Sequence, residues 1–228
     1  MKYQRVLLKI SGEALSSKDS TLCGETIAQT AEKIAALSKQ GVEIGIVVGG
    51  GNIMRGRSAG NMERNRADHM GMLATAINAL AIQDALEQMD VPCTVLSAVE
   101  MPRFCDTYTS RAAHAALKEG KVVVFACGSG CPFFSTDTAA ALRAAEIHAD
   151  VLLLAKNVDA VYSDDPNTNP NAQRYTTLTY DRVIAENLHA TDLTAITLCR
   201  EQGIPIHVFA LSEILNVFEK DGIGTFIK

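Results

Sequence analysis

Short apolar runs rich in β-branched residues recur along this chain: "RVLLKI", "EIGIVV", "CTVLSAV", "KVVVFA", "DVLLLA" and "IPIHVF". Between them lie longer stretches in which apolar residues return every third or fourth position, such as Ile27, Ala31, Ile34 and Leu37, or Met70, Leu73, Ile77 and Leu80. The first pattern predicts strands and the second helices. Their alternation is βαβ in style, so the chain is expected to form an α/β fold with a mainly parallel central sheet covered by helices. Gly41 and Gly120 follow helical stretches where a capping glycine belongs, and a new strand starts after each. The style changes after residue 156: "NVDAVYSDDPNTNPNAQRY" is rich in Asp, Asn and Pro, which predicts a functional loop or short hairpin. Strand and helix patterns then resume, so one compact fold of at most two lobes is expected, with no internal repeat.

Composition narrows the partners. With 47% hydrophobic and 21% charged residues among 228, the chain is globular. A formal net charge of -5 argues against nucleic acid or an anionic membrane as partner and favours small molecules. "MKYQRVLLKISGEAL" is interrupted by Lys9 and Glu13 and reads as a first strand, not a leader. No run approaches the roughly 18 apolar residues of a membrane span. The cysteines sit mostly in apolar segments and are expected to be reduced, cytosolic thiols. Cys127 and Cys131 have no second pair or nearby histidine, and the histidines share no ligand spacing, so no structural metal is expected.

Ligands of an open parallel sheet gather beyond the carboxyl ends of its strands, and four loops there stand out. The first holds Lys9, Ile10, Ser11 and Gly12; a lysine near the end of an apolar strand needs an anionic partner or a route to solvent. The second, "VVGGGNIMRGRS", has three glycines that let backbone N–H groups approach an oxyanion, followed by Arg55 and Arg57. It is one residue away from a P-loop, because Arg57 stands where the pattern requires lysine. The third, "CGSGCPFFSTD", places Ser135 or Thr136 as a helix cap, with Asp137 in the first turn and Phe133 and Phe134 either flooring a flat base or filling core. The fourth, "KNVDAVYSDDP", offers Tyr162 as an aromatic face and Asp159, Asp164 and Asp165 as holders of a cation or ribose, or as solvated turn residues.

Taken together, "LLKISGEAL", "VVGGGNIMRG", "ADHMGMLAT", "GSGCPFFSTD", "VDAVYSDDP" and "TDLTA" resemble, in order and spacing over nearly the whole chain, the bacterial uridylate (UMP) kinases of the amino acid kinase family. That resemblance implies a three-layer α/β/α sandwich forming one domain over 1–228, with an acceptor-binding lobe over about 1–150 and an ATP-binding lobe over about 151–228. It implies transfer of the γ-phosphoryl of ATP, with Mg2+, to UMP in cytoplasmic pyrimidine nucleotide biosynthesis. It also implies a homohexamer with GTP or UTP as possible effectors. By motif, Lys9, Ile10, Ser11 and Gly12 would contact ATP phosphates, as would Gly51 and Arg55, while Asn157, Tyr162 and Asp165 would lie toward its adenosine. Gly50 would face UMP, Asp68 its ribose, and Ser129, Gly130, Cys131, Pro132, Phe133, Phe134, Ser135 and Thr136 its nucleoside. Lys9 and Asp192 would be catalytic, with Asp137 in support.

Several positions depart from the family pattern. Thr191 precedes Asp192 where methionine is usual, Ala160 replaces a turn glycine, Cys131 replaces an asparagine, and serines stand for threonines at 129 and 135. An acyl-phosphate-forming relative or a non-catalytic nucleotide-binding regulator is the alternative reading.

Overall fold

Strand β1 (Arg5–Ile10) has apolar side chains on both faces, which places it where both are covered. Val6, Leu8 and Ile10 enter one core and Leu7 the other. In the computed structural model, which describes residues 2–54 and 61–228, β1 pairs in parallel with β2 (Glu43–Val48) on one side and β6 (Val151–Lys156) on the other. Beyond β2 follow β5 (Val122–Ala126), β3 (Cys93–Ser97) and β4 (Asp106–Thr107). Beyond β6 follow β10 (Ile206–Ala210), β11 (Thr225–Ile227) and β9 (Thr177–Leu178). The sheet order is thus β4-β3-β5-β2-β1-β6-β10-β11-β9, parallel except at β10–β11.

Helices α1 (Gly24–Lys39), α2 (Arg64–Glu87) and α7 (Asn216–Glu219) cover the face holding Val6, Leu8 and Ile10. Helices α3 (Ser110–Lys118), α4 (Thr136–Glu146), α5 (Tyr180–Ala185) and α6 (Leu193–Gln202) cover the face holding Leu7. The result is the expected three-layer α/β/α sandwich. Ala140, Ala141 and Ala144 of α4 are completely buried, and their small side chains let the helix lie close over β1 and β2. Gly41 (φ +85°) and Gly120 (φ +76°) end α1 and α3 in the left-handed conformation.

Two outcomes refine the sequence reading. The stretch after residue 156 folds back as an antiparallel ribbon of β7 (Val161–Tyr162) and β8 (Arg174–Tyr175). On α2, the stripe Met70, Leu73, Ile77 and Leu80 that marks the helix faces solvent, and the buried face is made of Ala67, Ala74, Ala79, Ile82 and Leu86 with Asn78. Over its first four turns the buried face is mostly alanine, which lets the helix pack close, and Ile82 and Leu86 fill the core toward its end. All six cysteines are free thiols, and among the described residues no helix is long and apolar enough to cross a membrane.

Candidate active site

Side-chain alternation determines what meets at the carboxyl ends of β1 and β6. Lys9 shares its face with Leu7, and Lys156 shares the same face with Leu152 and Leu154. Because Lys9 is in register with Leu154, Lys156 emerges two positions further along the neighbouring strand. The first turn of α4 lies over this point and supplies Asp137. Lys9 Nζ is 2.6 Å from Asp137 Oδ1, and Lys156 Nζ is 3.7 Å from Asp137 Oδ2. The Thr191 hydroxyl donates to Oδ2 at 2.6 Å. All three charged side chains are largely buried, at 12%, 24% and 15% exposed for Lys9, Lys156 and Asp137. Burial opposes ionisation of Asp137, but the two ammonium groups and the Thr191 hydroxyl outweigh it and hold the carboxyl pKa down to about 2. Burial pushes the Lys156 ammonium below its ordinary value, while Asp137 pulls it back up.

Asp192 has a different environment. It caps α6 by accepting from Ala195 N at 2.7 Å, accepts from the Thr138 hydroxyl at 2.9 Å, and accepts from the Ser135 hydroxyl. Ser135 in turn caps α4, accepting from Asp137 N and Thr138 N. Asp192 therefore ties two helix N-termini side by side, and both present their positive ends to the same cavity. The carboxylate against Lys9 is Asp137.

The glycine loop after β2 is held from below. Gly49 N donates to Ile10 O at 2.9 Å, so Ile10 contributes backbone while its side chain stays in the core. The fully buried Asn78 amide donates to Gly49 O at 2.6 Å and to Asn52 Oδ1 at 2.8 Å, and the Asn52 amide donates back to Asn78 and to Thr21 O. A Cβ at Gly50 would come 2.7 Å from Gly71 O, and one at Gly12 would run into Asn52 and the Gly49 carbonyl. The loop is glycine-rich because backbone packs against backbone there. Gly51 follows in the same turn, whereas Arg55 and Arg57 lie outside the described residues.

Loop 127–135 bends through four left-handed residues, Cys127, Gly128, Gly130 and Phe133. Cys127 N donates to the Thr75 hydroxyl of α2 at 2.8 Å, and Ser129 bonds Cys131 within the loop. Asp68 reaches across from α2 to accept from Phe133 N and from Arg64 Nε, each at 2.8 Å. Phe133 and Phe134 are 61% and 54% exposed, which removes the core reading of this pair.

Three cavities adjoin in a row. One, between α2 and loop 127–135, is lined by Gly50, Asp68, Thr75, Ser129, Cys131 and Phe134. It shares Asp68, Phe134, Ser135 and Thr136 with a second cavity around Lys9, Asp137, Lys156 and Asp192. The second shares Lys156 and His189 with a third, of about 520 Å3, lined by Tyr162, Asp164, Asp165 and Leu188. Tyr162 and Asp165, expected toward the adenosine of ATP, both line this third cavity. Asn157 Nδ2 lies 3.5 Å from Glu13 Oε2, and its neighbour Lys156 lines the third cavity. Lys156, Asn78, Arg64 and His189 went unselected from the sequence. Parity along "DVLLLAK" could have found Lys156, but no local pattern marks the other three.

A parallel sheet in which a strand lysine meets an aspartate in the first turn of a helix, beside a glycine loop, is the arrangement of an anion-binding α/β protein. The amino acid kinase family model matches residues 4–210, and the chain belongs to that family. Within it, the chain is similar to UMP kinase from Ureaplasma parvum, with 39% identity over 100% of both chains and a TM-score of 0.94. It is similar to UMP kinase from Bacillus anthracis at 32% identity, covering 100% of this chain and 97% of that one, with a TM-score of 0.95. Uridylate kinase from Archaeoglobus fulgidus is more distant, at 27% identity and a TM-score of 0.75.

Proposed function

We infer that this chain transfers the γ-phosphoryl group of ATP to UMP, giving ADP and UDP. The observation that carries this reading is the row of cavities with Lys9, Asp137 and Lys156 in the middle one. The full-length likeness to UMP kinases supports the choice of acceptor. In this reading residues of about 1–150 form the acceptor lobe and those of about 151–228 the donor lobe. UMP lies between α2 and loop 127–135, with Asp68 turning from Phe133 N to the ribose hydroxyls and Phe133 and Phe134 beside the base. Tyr162 and Asp165 flank the adenosine of ATP.

Phosphoryl transfer needs two anions aligned and the charge on the moving group neutralised. An oxygen of the UMP phosphate attacks the γ-phosphorus, the bond to the β–γ bridging oxygen breaks, and that electron pair leaves on ADP. Lys9, fixed by Asp137, meets the equatorial oxygens as they gain charge. The N-termini of α4 and α6 and the N–H groups of the glycine loop add positive potential. Asp192 acts as the tether holding the two helix ends together. Among the described residues no three carboxylate, imidazole or thiol groups converge to hold a cation. Magnesium would accompany the donor phosphates and supply further neutralisation of their charge.

The exposed stripe of Met70, Leu73, Ile77 and Leu80 on α2 supports a homo-oligomer, because a row of large apolar side chains on one helix face favours burial against another copy. A hexamer, regulation by GTP or UTP, and a cytoplasmic place in pyrimidine nucleotide synthesis complete the reading. The test is UDP formation from ATP, Mg2+ and UMP, run beside CMP and N-acetylglutamate as acceptors, with Lys9→Ala as control. Turnover with UMP that collapses in the variant is expected; turnover only with N-acetylglutamate, or with no acceptor, would overturn the reading.

A further inference from the structure

Loop 127–135 leaves β5 through two successive left-handed residues, Cys127 (φ +62°) and Gly128 (φ +59°). A side chain such as that of Cys127 is strained in this conformation, so the turn persists only where its surroundings hold it. It is held from both helical layers. From α2, the Thr75 hydroxyl accepts from Cys127 N at 2.8 Å. From α4, Arg143 Nη2 donates to Gly128 O at 3.3 Å. Helical side chains lean toward the N-terminus, and Ala139, one turn before Arg143, has its Cβ 3.8 Å from where a Cβ on Gly128 would sit, so the arginine reaches the loop along the helix surface. Arg143 is only 4% exposed. Its guanidinium lies over the Tyr108 ring, 3.8 Å from the centroid, and pairs with the Glu146 carboxylate, which also accepts from the Tyr108 hydroxyl at 2.6 Å. Burial pushes the Tyr108 phenol up to about 12, which keeps it protonated as that donor. A buried arginine–carboxylate pair is a weak source of stability, because apolar side chains of similar volume often do as well. What an apolar side chain cannot do is bond a loop carbonyl in a set direction.

We propose that Arg143 is a positioning residue for the acceptor: it fixes the opening turn of loop 127–135, so that the groups facing the UMP base stand in place before UMP enters. Gly128 and Ser129 line the acceptor cavity, and Arg143 acts on it through the Gly128 carbonyl. A loop set in advance loses less freedom on binding, so both affinity and discrimination between bases depend on the brace. Helix α4 keeps its seat through the buried Ala140, Ala141 and Ala144, which leaves Asp137 and phosphoryl transfer in place without the arginine. This rests on the acceptor assignment given above and adds to it a residue that does not touch the substrate.

The test compares Arg143→Met, Arg143→Lys and Val183→Ala with the unsubstituted chain, using calorimetric binding of UMP and CMP, steady-state turnover, and amide hydrogen exchange of residues 127–135. Val183 is fully buried in the same core, on α5, and its truncation reports a loss of stability alone. Arg143→Met should weaken UMP binding roughly tenfold, narrow the gap in affinity between UMP and CMP, and speed exchange in the loop, while kcat and the KM for ATP move less than about threefold. Arg143→Lys keeps a donor in the same place and should recover part of the UMP affinity. Val183→Ala should lower the melting temperature and leave UMP binding as it was. Equal loss of UMP affinity in Val183→Ala, or a fall in kcat and ATP binding as large as that in UMP binding, would mean that Arg143 only supports the core; unchanged UMP affinity and loop exchange in Arg143→Met would remove the brace. Each overturns the proposal. Should Arg143→Met fail to fold, Tyr108→Phe, which takes a hydrogen bond from Glu146 and loosens its hold on Arg143, should give the same changes at smaller size, and no change in it overturns the proposal as well. If the unsubstituted chain binds and turns over UMP while the Arg143 variants match it, only this proposal fails. If the unsubstituted chain binds no UMP, the acceptor assignment fails and this proposal fails with it.

Discussion

Replacing Asp137 by asparagine isolates the charge at the centre of the site. The side chain keeps its size, but the Lys9 and Lys156 ammonium groups at 2.6 and 3.7 Å lose their counter-ion. The carboxyl pKa falls from an ordinary 3.8 to about 2 on folding. At about 1.4 kcal/mol per pKa unit, that corresponds to about 2 kcal/mol of stability carried by the charge. Because the folded-state pKa is depressed, this contribution is fully present above about pH 4 and is lost as the pH falls through about 2. Urea unfolding of both proteins should therefore show the chain with Asp137 the more stable near neutrality, with the gap narrowing by about 1 kcal/mol by about pH 3. A gap that stayed constant, or widened on acidification, would refute the electrostatic account. Turnover should fall by roughly a hundredfold or more, since Lys9 is no longer held in line.

Asp192→Ala removes the α6 cap and the tether to Ser135 and Thr138, and should cost about 2–3 kcal/mol in thermal or urea unfolding, with activity lost in parallel; full stability with abolished turnover would instead make Asp192 a direct participant. Gly50→Ala puts a methyl group 2.7 Å from Gly71 O, so α2 must shift, and the KM for UMP should rise several-fold with little change in ATP binding. Phe134→Ala should leave the melting temperature unchanged, because the ring is exposed, while raising the KM for UMP; a large stability loss would show that the ring is core after all. Ile77→Asp places a charge in the middle of the α2 stripe and should shift the protein to smaller species in analytical ultracentrifugation.

Much of this protein was determined locally. The apolar runs specify strands buried on both faces, the alternation with helices specifies a parallel sheet, and the glycines after β2 mark a place where backbone meets backbone. Lys9 is legible because a charge at the end of an apolar strand requires a partner. Which partner it has was decided only by tertiary structure. Asp137 and Asp192 are both carboxylates at helix starts, and only the seating of α4 over β1 puts the first against the lysine and leaves the second joining two helix ends. Lys156 enters the site because β6 lies beside β1 in one particular register, a pairing between segments far apart in the chain. The stripe on α2 shows the same limit. Helical periodicity reports that a face is apolar but not which surface covers it, and here the core takes Ala67, Ala74, Ala79, Ile82 and Leu86 and leaves Met70, Leu73, Ile77 and Leu80 outside.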